Sequence, residues 1–210
     1  RSTPLTYAVS QNKKIKSYII VDERTSGFFA LGIAKQTKSP VLIITTSGTA
    51  TAELYPSIIE AYQNRVPLII CTADRPAYLR NTGANQTINQ DNIYKNHIRF
   101  FYDTGLPKLA AKNIKSLKEN IVKAFKISWL QDCGPVHLNF PFEKPLEPDS
   151  ITDNIDESII SIALPIKFSL DKNVTNIDSS QKNISALNLL LKKNCCGLIT
   201  VGPGNFSDRF

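Results

Sequence analysis

The sequence has few or no residues of several types, and these shortages exclude some classes of protein. It has no methionine, nine glycines, four cysteines and one tryptophan among 210 residues. A chain without methionine cannot include its own start codon, so we expect it to be one piece of a longer protein. The low glycine content, with 42% hydrophobic and 20% charged residues, excludes a collagen-like chain and is typical of a globular domain. No apolar run reaches the ~20 residues that a membrane-spanning helix needs, so no membrane span is expected.

The cysteine spacing gives little support for a metal site or a disulfide framework. The sequence has no C-x-x-C pair, and both histidines lie far from every cysteine along the chain. We therefore predict no metal ligands in this chain. Reduced thiols are the usual state in the cytosol, which predicts a cytoplasmic protein.

The net charge of +7 raises the possibility of nucleic-acid binding. However, the lysines are scattered along the chain, and no block of Lys and Arg alternates with aromatic residues. The sequence therefore predicts no nucleic-acid surface. A positive chain of this kind favours the attraction of small anionic substrates.

Four short apolar runs predict β-strands, over residues 17–21, 41–44, 67–71 and 135–140. These runs do not alternate between apolar and polar residues, as expected for parallel strands covered on both faces. The segments 27–37, 48–64 and 114–130 have the length and pattern of helices. The repeated strand-helix-strand order predicts an α/β fold, a doubly wound, mostly parallel sheet with helices on both faces.

The character of the sequence changes near residue 148. Residues 1–148 predict one complete domain, and residues 149–180, rich in Asp, Ser and Ile, predict a linker. Residues 181–210 predict the incomplete start of a second α/β domain, with a helix over 181–194 and a strand over 196–202.

Three predicted strands end in polar loops, over residues 22–24, 45–49 and 72–76. In an open parallel sheet these loops share one rim, where ligands usually bind. Each loop also has a simpler explanation, because Asp22 can cap a helix and the hydroxyls of the second loop can do the same. The third loop can be a surface turn. From the residues alone, the rim is an anion-tolerant candidate site.

Six runs in this order resemble one enzyme family. They are RSTPLT, DERTSGFFALGIAK, PVLIITTSGTATAELYPSIIEA, PLIICTADRP, LRNTGANQTINQ and GPVHLNFPFEKPLEP. Together they resemble the pyrimidine-binding domain of the 2-succinyl-5-enolpyruvyl-6-hydroxy-3-cyclohexene-1-carboxylate synthases (the MenD family), densely over residues 1 to about 148. These are thiamine-diphosphate-dependent enzymes of menaquinone biosynthesis.

The resemblance implies a carboligase that decarboxylates 2-oxoglutarate and adds the resulting succinyl nucleophile to isochorismate. It also implies thiamine diphosphate and Mg²⁺ as cofactors, and a homodimer or homotetramer. The sequence contains no G-D-G segment followed by a ligating Asn, so the diphosphate and Mg²⁺ ligands are expected in a C-terminal domain outside these residues. Two alternatives stay open, an acetolactate-synthase-like enzyme and a non-catalytic anion-binding or regulatory module.

The resemblance also implies roles for five residues. Glu23 matches the glutamate that binds the cofactor and takes part in catalysis, which requires a carboxyl with raised proton affinity at a buried strand end. Gln86 matches a catalytic and substrate-binding glutamine. Arg1, Arg75 and Asn85 match substrate-binding positions. Residues 47–49 either approach the cofactor or only begin a helix.

Overall fold

The computed structural model describes residues 1–147 and 157–163, and beyond these only Ser185, Asn188, Leu189 and Lys192. The chain divides into two compact units, Arg1–Leu164 and Pro165–Phe210. The predicted strand over 196–202 and most of the predicted helix over 181–194 lie outside the described residues, so the predicted domain limits stay a prediction.

The first unit contains a parallel sheet with helices on both faces, which confirms the predicted fold class. Its described strands are β1 (Val41–Thr45), β2 (Leu68–Asp74), β3 (Phe100–Asp103) and β4 (Val136–Pro141), in the spatial order β1-β2-β4-β3. Its helices are α1 (Thr3–Ser10), α2 (Glu23–Thr37), α3 (Thr49–Glu53), α4 (Tyr55–Gln63), α5 (Ala111–Lys126) and α6 (Glu157–Ala163). Short helical turns cover Ala77–Leu79, Lys95–His97 and Ile127–Gln131.

The central strands β2 and β4 have different surroundings on their two faces. One face, with Leu68 and Ile70, packs against α2 and α4 in a buried apolar cluster. The other face, with Cys71 and Leu138, packs in a second cluster with Ala124 of α5. Burial on both faces explains why the strand sequences are continuous apolar runs.

The structure differs from the prediction in four places. Residues 17–21 form no strand, and the side chains of Ile19 and Val21 are 98% and 94% exposed. The β-branched run has strand propensity, but in the described residues it pairs with no neighbour. Strand β3 was not predicted, although Phe, Phe and Tyr are favourable strand residues. The predicted helix over 48–64 is divided into α3 and α4, and α2 begins at Glu23 instead of Gly27.

None of the helices in the described part of the chain is both long and apolar enough to cross a membrane. Helix α6 falls within the predicted linker. The Nζ of Lys118 in α5 donates a 2.7 Å hydrogen bond to the carbonyl of Ile162 in α6.

Candidate functional site

The carboxyl ends of the parallel strands bring distant polar residues together at one rim of the sheet. The buried Ser47 follows β1, and its hydroxyl donates to the Gln86 carbonyl at 3.0 Å. The same hydroxyl accepts a hydrogen bond from the guanidinium of Arg75, which directly follows β2. Loops that are far apart in sequence therefore meet at Ser47.

Arg1 joins this rim from the start of the chain. Its guanidinium donates to the Phe142 carbonyl, just after β4, and its main-chain nitrogen donates to the Thr46 hydroxyl at 3.3 Å. Burial, followed by the nearby positive charge of Arg1, lowers the pKa of Arg75, while Asp74 opposes this shift. Neither guanidinium forms an ion pair with a carboxylate among the described residues. The two arginines therefore form a positively charged rim.

Gly48 holds the loop after β1 in a conformation that other residues cannot easily adopt. Its φ is +81°, in the region that favours glycine, and a Cβ there would lie 3.0 Å from Gln86 Cγ. Gly48 is the N-cap of α3, and no side chain caps this helix start. The hydroxyl of Ser47 forms hydrogen bonds with Gln86 and Arg75. Ser47 therefore does not cap the helix that follows.

Gln86 and Asn85 lie on the loop above this cluster, and both are exposed. Gln86 has a φ of +55°, and its carbonyl is the part that contacts Ser47. Within the described residues, neither side-chain amide makes a hydrogen bond, so both are available to a ligand at the rim.

Glu23 occupies the first turn of α2. Asp22 is the N-cap of that helix and accepts a 2.6 Å hydrogen bond from the Thr25 amide, as expected for a capping aspartate. Glu23 is half-buried and follows an irregular segment, so the expectation of a buried strand end is wrong. Its carboxylate has no hydrogen-bond or ion-pair partner in the described part of the chain. No hydrogen bond or ion pair in the described residues joins Glu23 to Arg1 or Arg75.

A fully buried polar network lies beneath the rim. Gln90 accepts a 2.9 Å hydrogen bond from the Gly48 amide and donates to the Ala73 carbonyl at 3.2 Å and to Asn139 Oδ1 at 3.0 Å. Asn139 Oδ1 also accepts from the Thr72 hydroxyl at 2.8 Å. The network thus connects β2 and β4 to the loop after β1.

Two carboxylates share one arginine at the outer end of this network. Asp74 ends β2 and Asp103 ends β3, and Arg80 Nη2 lies 2.9 and 3.2 Å from their Oδ2 atoms. Asn139 Nδ2 donates to the same two oxygens, at 3.0 and 2.9 Å. Asp74 is fully buried, so its charge needs these partners. Arg80 therefore has a structural role that differs from that of Arg1 and Arg75.

His137 lies at the inner end of the network and is fully buried beside the Tyr94 and Phe101 rings. Its Nε2 is 2.7 Å from the Thr72 hydroxyl. Because that hydroxyl gives its only proton to Asn139, His137 must donate through Nε2–H. Its Nδ1 is then an unprotonated nitrogen, and it has no hydrogen-bond partner. Burial lowers the pKa of His137 to about 3.

This low pKa predicts a specific loss of stability in mild acid. His137 is neutral in the folded protein but titrates near its ordinary value of 6.5 when unfolded. Stability is therefore fully present above pH 6.5 and is lost as the pH falls from 6.5 towards about 3. By about pH 5 the loss is about 2 kcal/mol relative to neutral pH. The measurement is the free energy of unfolding in urea at neutral pH and at about pH 5, for the wild type and for His137→Gln.

The variant His137→Gln serves as the control, because glutamine at this position does not titrate. We expect it to be less stable at neutral pH and to lose about 2 kcal/mol less on acidification. An equal acid sensitivity in both proteins would contradict a neutral buried histidine.

No role for Gln90, Asn139 or His137 was predicted from the sequence. The signal that could have found the latter two is their position, since they are polar residues inside a strand that is otherwise apolar. A central strand does not bury polar side chains without partners, so each one indicates a hydrogen-bond network.

Within residues 1–147 and 157–163, no group of three or more His, Cys, Asp or Glu side chains is placed to hold a metal ion. Cys71 and Cys133 are free thiols, and Cys71 is buried. Cys195 and Cys196 lie outside the described residues.

Comparison with known proteins gives one family model. The N-terminal cofactor-binding domain of thiamine pyrophosphate enzymes matches residues 1–93. That segment contains Glu23, Arg75, Gln86 and the whole of the Ser47 loop.

Several curated proteins named 2-succinyl-5-enolpyruvyl-6-hydroxy-3-cyclohexene-1-carboxylate synthase are similar over a longer stretch, and three of them show the range. The Lysinibacillus sphaericus protein is 51% identical over 146 residues, which cover 70% of this chain and 26% of that protein. The Halobacterium salinarum protein is 46% identical, over 75% of this chain and 27% of that protein. The Crocosphaera subtropica protein is 40% identical, over 99% of this chain and 35% of that protein. The chain thus spans about a quarter to a third of the length of these relatives.

Proposed function

Since this chain belongs to the thiamine-diphosphate-dependent 2-succinyl-5-enolpyruvyl-6-hydroxy-3-cyclohexene-1-carboxylate synthase family, we propose that it supplies the pyrimidine-binding half of that enzyme's active site. The whole protein is then a transferase of menaquinone biosynthesis. It decarboxylates 2-oxoglutarate and adds the resulting succinyl group, as a nucleophile, to isochorismate.

The observation that carries this proposal is the positively charged rim formed by Arg1 and Arg75. Both substrates carry two carboxylates, and a guanidinium binds a carboxylate through two parallel hydrogen bonds. Arg75 has one nitrogen fixed by Ser47, which sets its position while leaving donors for a ligand. The exposed amides of Gln86 and Asn85 lie on the loop that contacts Ser47, where they can orient a bound substrate.

The residues at the start of α2 suit the pyrimidine ring of the cofactor. Bound thiamine diphosphate supplies the carbon nucleophile of the reaction. Glu23 presents a half-buried carboxylate without a protein partner in the described residues, so it is free to hold a proton against a ring nitrogen. Asp22 fixes the first turn of the helix and thereby the direction of that carboxylate.

The diphosphate and its Mg²⁺ belong to residues outside this chain. The sequence has no G-D-G segment with a following ligating Asn, and the described residues hold no acidic or histidine cluster for a metal. We therefore propose that this chain binds the pyrimidine end of the cofactor and the substrates, and that another domain binds Mg²⁺ and the diphosphate.

A homodimer or homotetramer is part of the proposal. Tyr18, Phe28 and Phe29 line an apolar groove of about 480 Å³ on the exposed face of α2, and Ile19 and Val21 are almost fully exposed. An exposed apolar surface of this kind is suited to burial against another subunit.

We place the reaction in the cytoplasm. Cys71 and Cys133 are free thiols, which is the usual state of cysteines in a reducing compartment. Burial raises the pKa of the Cys71 thiol to about 12, so this thiol stays protonated and unreactive at neutral pH.

The proposal is tested by assaying the full-length protein with 2-oxoglutarate, isochorismate, thiamine diphosphate and Mg²⁺. We expect a succinylated cyclohexene product that requires all four components. Condensation of two 2-oxoacids without isochorismate would instead identify an acetolactate-synthase-like enzyme. Binding of the carboxylates without any thiamine diphosphate binding would identify a non-catalytic anion-binding module.

A further inference from the structure

Gln90 is fully buried between three parts of the rim. Its side-chain oxygen accepts from the Gly48 amide, and its side-chain nitrogen donates to the Ala73 carbonyl and to Asn139 Oδ1. These partners belong to the loop after β1, to β2 and to β4. One amide therefore connects the ends of three neighbouring strands.

Two of these contacts lie on either side of the Ser47–Arg75 hydrogen bond. Gly48 directly follows Ser47, whose hydroxyl receives the Arg75 guanidinium. Ala73 lies two residues before Arg75 on the same strand end. Gln90 thus fixes both backbone segments whose separation determines where the guanidinium lies.

Only an amide satisfies all of these partners at once. The Gly48 contact needs an acceptor, whereas the Ala73 and Asn139 contacts need two N–H donors on a neighbouring atom. An ionised carboxylate supplies the acceptor but no donor, and a thioether of similar length supplies almost neither. Substitution leaves buried polar groups unpaired, and such groups move or admit water.

We propose that Gln90 is a positioning residue that holds Arg75 in the orientation needed to bind a substrate carboxylate. It acts through Gly48 and Ser47 on one side and through Ala73 on the other, and it does not touch the substrate. The inference rests on the proposed function, because it takes Arg75 to be the residue that binds the carboxylate.

The test compares Gln90→Met with Ser128→Ala in the full-length protein. Ser128 is also fully buried and donates a 2.7 Å hydrogen bond to the Gly134 carbonyl, but it lies near Leu68, at the opposite end of β2. We expect Gln90→Met to raise the KM for 2-oxoglutarate or isochorismate about tenfold, with a smaller change in kcat. We expect faster hydrogen exchange at the Gly48 amide in this variant. Ser128→Ala should lose stability without either effect.

A second variant, Gln90→Glu, keeps the size of the side chain and adds a dependence on pH. Its ionised form cannot donate to Ala73 or Asn139, whereas its protonated form regains one donor. We therefore expect the ratio of this variant's KM to the wild-type KM at the same pH to decrease as the pH falls. A role in folding alone predicts no such recovery of KM.

Three outcomes separate this inference from the proposed function. An unchanged KM and unchanged Gly48 exchange in Gln90→Met would overturn the positioning role, as would an equal KM increase in Ser128→Ala. Inactive wild-type protein would overturn the proposed function. In that case the Gly48 exchange rates still decide whether Gln90 holds the loop.

Discussion

Glu23→Gln is expected to lower the kcat of the full-length enzyme by about 10²- to 10⁴-fold, the usual contribution of general acid–base catalysis. The amide has nearly the same shape as the carboxylate but cannot give up or accept the proton. Because Glu23 has no partner in the described residues, the substitution breaks no protein hydrogen bond there. The measurement is kcat at saturating thiamine diphosphate and substrates, together with the thermal midpoint of unfolding, which should not change.

The preceding residue offers a matched control for this experiment. Asp22→Asn removes a carboxylate one position away, but asparagine caps a helix about as well as aspartate, so α2 should begin as before. We expect near-normal turnover in Asp22→Asn. Turnover equal to wild type in Glu23→Gln would remove the proton-transfer role from Glu23, and an equal loss in both variants would indicate an effect of the helix start.

Arg75→Ala is expected to raise the KM for a carboxylate substrate about 10- to 150-fold, the range that corresponds to losing a hydrogen bond between charged groups. The substitution removes one of the two cations at the rim and the hydrogen bond to Ser47. Arg75→Lys keeps the charge but loses the paired donors, so its KM should lie between wild type and Arg75→Ala. The measurement is the steady-state KM for each substrate, with the other saturating.

A change in net charge could also alter substrate binding from a distance, so the comparison includes Lys112→Ala. Lys112 is exposed on α5 and carries the same charge, and we expect its removal to leave both KM values unchanged at physiological salt. If Arg75→Ala also left both KM values unchanged, Arg75 would be a structural residue that only supports Ser47.

Most of the rim could be predicted without the structure. The apolar runs identified β1, β2 and β4, and parallel strands place their polar carboxyl ends side by side. The structure accordingly brings Ser47, Arg75 and Gln86 into contact. The family resemblance added Arg1, whose guanidinium the structure places at the same rim.

The strand predictions were wrong where the intrinsic strand propensity of a segment differs from its actual pairing in the sheet. Residues 17–21 have the composition of a strand, but a strand forms only against a neighbour, and the described residues provide none. For Glu23 the consequence is a half-buried position at a helix start, and any further exclusion of water must come from a neighbouring surface. Strand β3 shows the opposite case, because four residues give too short a pattern to recognise.

The sequence by itself determined the fold class and the two polar loops that follow β1 and β2, which carry Ser47 and Arg75. These follow from local patterns, because hydrophobic burial selects strands and helices segment by segment. Only the tertiary structure decided which polar groups pair. Ser47 receives Arg75 across 28 positions and Thr72 reaches Asn139 across 67, and such contacts require atoms to lie within about 3 Å after folding. The direction of each hydrogen bond, the tautomer of His137 and the three hydrogen bonds of Gln90 all depend on that packing.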